Sequence, residues 1–114
     1  MRLTSAFFAA AHIRRCYAEG ATAVVVRRGA EEAGAIFFVV DRLDHTVDLY
    51  GPAPQTAFVD GAAPADRLFQ LVAGHADLAE INARLEREAR FDPDIWIVTI
   101  EDRAGRSFLD LVPA

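Results

Sequence analysis

The stretch Ile36-Phe37-Phe38-Val39-Val40 is apolar at every position and is bounded by Ala35 and Asp41. A strand with one wet face alternates apolar and polar side chains, so an unbroken run of this length reads as a strand covered on both faces. Outward from it, residues 23–28 (Ala-Val-Val-Val-Arg-Arg) and 46–50 (Thr-Val-Asp-Leu-Tyr) are rich in β-branched and aromatic residues and read as its neighbours. Residues 29–34 carry a glycine at each end and predict a hairpin loop, while Asp44 and His45 mark a tight turn. The pattern predicts a three-stranded antiparallel meander.

Before the meander, Leu3, Phe7, Ala10, Ile13 and Tyr17 keep returning to one side of a 3.6-residue helix over residues 3–19, and Gly20 is a natural stop. After it, Gly51-Pro52-Ala53-Pro54 opens an Ala/Pro/Gly-rich loop that runs to about Pro64. A short helix is predicted over residues 65–73, with Leu68, Phe69 and Val72 on one side and Gly74 at its end. Asp77 and Glu80 have capping-box spacing, so a longer helix starts there, with an apolar stripe of Leu78, Ile81, Leu85 and Ala89. Asp92-Pro93 ends it. Residues 95–101 and 107–111 then predict a closing hairpin turning at Ala104-Gly105. The expectation is one α+β domain over residues 1–114: two layers, with an antiparallel sheet of about five strands (meander plus C-terminal hairpin), two main helices and one short helix.

The chain has 114 residues, 53% of them hydrophobic, and one cysteine, so it is long enough to build a core without disulfides. All 12 basic residues are Arg, against 17 acidic ones, for a net charge of −5. Having no Lys excludes Schiff-base chemistry and a phosphate-loop lysine. The acidity argues against broad attraction to nucleic acid. No apolar run is long enough to span a bilayer, so no membrane partner is expected. The N-terminal apolar stretch is Ala-rich and runs directly into Arg14 and Arg15, unlike a signal peptide, and a lone Cys16 suits the reducing cytoplasm.

Few residues suggest chemistry. Cys16 lies one helical turn after His12, but beside the apolar stripe a lone cysteine is ordinarily a small hydrophobe. His12, His45 and His75 have no zinc-site spacing, and Asp92 and Asp94 flank a proline as turn residues do. Trp96 alternates with Val98 and Ile100 as a core residue would. Neither Ser5 nor Ser107 lies in a nucleophile elbow. No catalytic residue, metal site or cofactor is therefore expected.

Two surfaces remain. Phe8, His12 and Arg15 share the side of the first helix opposite its stripe, where a phenylalanine needs a cover: either the closing hairpin of the same chain supplies it, or the three are the candidate interface for a second copy or a protein partner. Arg27, Arg28 and Gly29, at a strand end, are the candidate anion-binding residues.

Taken in order, Arg14-Arg15-Cys16, Val25-Val26-Arg27-Arg28-Gly29, Asp48-Leu49-Tyr50-Gly51-Pro52-Ala53-Pro54, Arg67-Leu68-Phe69 and Phe91-Asp92-Pro93-Asp94-Ile95-Trp96 resemble an uncharacterised proteobacterial family, domain of unknown function number 1491. The resemblance covers nearly the whole chain. It implies a small cytoplasmic bacterial protein and brings no catalytic residue or cofactor to these positions. The reading is a non-enzymatic interaction or regulatory module that self-associates through the first helix and the 51–64 loop. The alternatives are an anion-binding enzyme or small-ligand binder using Arg27 and Arg28, and a nucleic-acid binder that adds Tyr50 as a stacking aromatic on the sheet.

Overall fold

The computed structural model describes residues 3–54 and 67–113. Its elements run α1 (Ser5–Ala18), β1 (Thr22–Arg27), β2 (Ile36–Asp41), β3 (Thr46–Pro52), β4 (Phe69–Asp77), α2 (Leu78–Phe91) and β5 (Trp96–Glu101). The five strands form one sheet in the order β1-β5-β2-β3-β4.

β2 is the middle strand, and its side chains divide between two cores. Ile36, Phe38 and Val40 join Trp96, Val98 and Ile100 of β5 under α1, whose Ala9 and Cys16 face them. Phe37 and Val39 point the other way, toward Val47 and Leu49 of β3 and Ile81 and Leu85 of α2. The helices therefore cover opposite faces, and the expected two layers are three. This is why the β2 run never alternates: both of its faces are dry.

The antiparallel meander is also corrected. β5 inserts between β1 and β2, pairing antiparallel with β1 and parallel with β2, so the sheet is mixed. A parallel neighbour needs a crossover, and α2 supplies it. An interior β5 has no free edge for a hairpin partner, so residues 107–111 are not a strand of a closing hairpin. They run back across the α1 face, where Phe108 and Leu109 pack against its core, and they bridge the sheet backbone where Leu111 meets Phe69.

The short helix over residues 65–73 is corrected too, since β4 begins at Phe69 and the described residues hold two helices. Leu68, Phe69 and Val72 fit helical spacing, but the free edge of β3 decides their state: Gly51 pairs with Gln70 and Tyr50 with Leu71. The loop residues 55–66 and the start of that predicted helix lie outside the described residues.

The 29–34 segment is not a hairpin loop but a wrap around the entry to β5. Ala30 N donates to Asp94 O (2.9 Å), Trp96 N to Ala35 O (2.8 Å) and Trp96 Nε1 to Ala30 O (2.8 Å). The wrap is so tight that a Cβ on Gly29 or Gly34 would overlap the Asp94 carbonyl oxygen.

Candidate interaction surface

α1 docks on the sheet through small residues. Ser5, Ala9, His12 and Cys16 are buried, whereas Phe7 and Tyr17 of the predicted apolar stripe are more than half exposed. Large side chains dominate the periodicity, but a helix packed closely on a sheet puts its small residues at the contact. Ser5 Oγ also donates to Gly34 O at 2.5 Å, tying α1 to the β5 wrap.

The candidate interface of Phe8, His12 and Arg15 is divided by this rotation. The Phe8 ring lies 5.7 Å from that of Phe69 and 6.4 Å from that of Phe38, with the Arg67 guanidinium 5.5 Å above it. His12 is buried and its Nε2 lies 2.8 Å from Ser107 O, an acceptor, so Nε2 carries a proton. Desolvation lowers the His12 pKa, with the Ser107 bond partly opposing it. Arg15 alone is exposed. The cover that Phe8 requires thus comes from its own chain.

The arginine pair is divided as well. Val25 pairs with Val98 but Arg27 with Ile97, leaving Val26 as the extra residue of a bulge. The bulge turns Arg27 to the α2 face, where Nη2 donates to Pro93 O at 3.0 Å. The Arg28 guanidinium instead stacks 4.8 Å from the Trp96 ring centroid. Gly29 is explained by the close approach of Asp94. The structure does not bring Arg27 and Arg28 together around one anion.

Other groups with chemical capacity are engaged structurally. Burial pushes the Cys16 thiol up, away from the reactive thiolate. Asp92 Oδ1 accepts from Asp94 N at 3.0 Å, an ordinary turn. The buried carboxylate of Asp48 takes Arg42 Nε at 2.9 Å and the His75 amide at 2.8 Å. Tyr50 is buried, so it offers no base-stacking platform. Among the described residues no group of three or more His, Cys, Asp or Glu is placed to hold a metal ion.

What stands open is one margin of the α2 face. α2 lies over β3 and β4, with Ile97 of β5 packed against its core, and the β1 margin of this face is exposed. There Val24 is 58% and Val26 62% exposed. Beside them runs a groove of about 460 Å³ lined by Val26, Arg27, Ile97, Thr99, Leu85 and Ala89. Phe91, at the end of α2, is 91% exposed. Sequence reasoning missed these residues because β1 looked like a meander strand; the triple valine was visible, its place at the sheet edge was not.

The DUF1491 profile, a protein family of unknown function, matches residues 3–110. The chain belongs to the DUF1491 family. A DUF1491 protein from Caulobacter crescentus CB15, known from a crystal structure, is 38% identical with a TM-score of 0.78, the match covering 97% of this chain and 98% of that one. The solution structure of protein Atu0922 from A. tumefaciens is 44% identical with a TM-score of 0.85, over 100% and 98% of the two chains. Among curated proteins none matches. The DUF1491 fold is thus the mixed, three-layer arrangement described above.

Proposed function

We propose that this DUF1491 protein is a non-enzymatic, cytoplasmic interaction module that self-associates, and that the surface it uses is the exposed β1 margin of the sheet rather than the outer side of α1. The observation that carries the reading is the pair Val24 and Val26, both more than half exposed on a folded sheet face. Natural sheets ordinarily guard such positions with charge or cover them. The lone Cys16, buried and unpaired, is in keeping with a reducing compartment.

Light scattering over a concentration series tests the proposal. The wild type is expected to move from monomer mass toward dimer mass as concentration rises. Val26→Asp, which places a charge on an exposed bulge residue and disturbs no core contact, is expected to stay monomeric. A wild type that remains monomeric from about 10 µM to about 1 mM overturns the reading.

A further inference from the structure

The two edges of the sheet are not equivalent. β4 is engaged where the C-terminal segment meets it: Phe69 N donates to Asp110 O and Val112 N to Phe69 O, both at 2.9 Å. Along β1 no described residue pairs with the outer edge; its neighbour in the sheet is β5 alone. Its sequence, Thr-Ala-Val-Val-Val-Arg, has one charge, at the end, and no proline. An unpaired apolar strand is a template for another strand.

From this we infer that two copies of the chain join edge to edge, β1 antiparallel to β1 about a two-fold axis at Val24, making one continuous ten-stranded sheet. The inference rests on the self-association reading and specifies its geometry. Such an axis is perpendicular to the sheet, so residues directly opposite each other share a face. Centring on Val24 satisfies this, setting Ala23 against Val25 under α1 and Thr22 against Val26 on the open face. All three valines then lie in the seam.

Charge supports the same register. Thr22 pairs with Glu101 of β5, and its Oγ1 donates to Glu101 Oε1 at 3.0 Å. Antiparallel pairing carries Arg27 of one copy to the Thr22 end of the other, where the exposed Glu101 carboxylate offers its guanidinium a charged partner in place of Pro93 O, twice by symmetry. The two Arg27 side chains lie at opposite ends of the seam, so they do not repel. α1 favours it as well. Phe8 and His12 occupy the α1 flank facing Phe69 and Phe38, so helical spacing puts Ile13 and the exposed Tyr17 on the flank toward β1. Face-to-face stacking is disfavoured, because it would desolvate the exposed charges of Glu80, Arg84, Arg87 and Glu88 along α2.

The test is Val24→Cys in a Cys16→Ala background under mild oxidation. Opposed antiparallel residues have Cα atoms about 4.5–5.5 Å apart, within disulfide range. The Val24→Cys chain is expected to cross-link at least about tenfold faster than a control, Leu71→Cys in the same background, whose position is exposed on β4. Arg27→Glu and Glu101→Arg, each checked for native circular dichroism, are expected to weaken the dimer about tenfold singly and to restore it together. A dimer by light scattering in which Val24→Cys forms no cross-link, or whose charge swap gives no rescue, overturns edge pairing and leaves self-association standing. A monomer at every concentration overturns both.

Discussion

His12 exchanges water for a carbonyl acceptor and the rings of Phe8 and Phe38, and that exchange has a sign. Burial lowers its pKa from the ordinary 6.5. Below pH 6.5 the unfolded chain then binds more protons than the folded one, so stability rises with pH and is lost as pH falls from about 6.5 toward the lowered folded value. Asp44 and Asp102 are held below their ordinary 3.8, Asp44 by the Thr46 hydroxyl and Asp102 by Arg106, so their share is lost only in stronger acid. Thermal melts at about pH 7.5 and about pH 5 isolate the histidine. The wild-type midpoint should fall between them, and that of His12→Gln, which keeps a donor for Ser107, should fall less. Gly29 makes a steric prediction at the same scale. Gly29→Ala pushes a methyl group into the Asp94 backbone and should cost at least about 1–3 kcal/mol in urea unfolding. Substituting Gly20, whose added Cβ would meet nothing within 4 Å, should cost only its strained φ of +89°.

At the scale of elements, α2 was the most legible. The Asp77 carboxylate caps it by accepting from Ala79 N at 3.0 Å, and Ile81 and Leu85 are its buried positions. Asp77→Ala should therefore cost about 1 kcal/mol, or about 4 °C in midpoint, in a thermal melt. The β2 run was equally legible because burial on both faces leaves an unmistakable pattern. α1 was legible as a helix but not in its orientation, because Ser5, Ala9 and Cys16 carry too little side chain to outweigh Phe7 and Tyr17 in a periodicity count. β4 and the C-terminal segment were misread for a different reason. Local spacing around Leu68 and Phe69 permits a helix, and only the long-range choice of partner, β4 onto β3 and β5 between β1 and β2, assigns each segment its state. The candidate site followed the same division: Arg27, Arg28 and Gly29 were visible as residues, whereas the bulge that separates the two guanidinium groups exists only once β5 lies beside β1.

For the whole molecule, the strand order ranks the strands by protection. β2 and β5 have strands on both sides and a helix-covered core against at least one face, so their amides should exchange with solvent only on global unfolding. β1 and β4 each have one free side. In a monomer, the outward amides of β1 should exchange fastest among the strands, since β4 is partly tied by residues 110–112 and by the Asp48 carboxylate that holds the His75 amide. Edge pairing through β1 reverses that ranking with concentration. Hydrogen exchange at about 20 µM and at about 1 mM should then show protection rising in residues 22–26 while β4 and the α2 amides stay unchanged. A dimer formed through the α2 face instead would slow exchange in α2 and leave β1 as it was. Because exchange reads backbone amides one by one, this comparison assigns the interface without changing a residue of the chain.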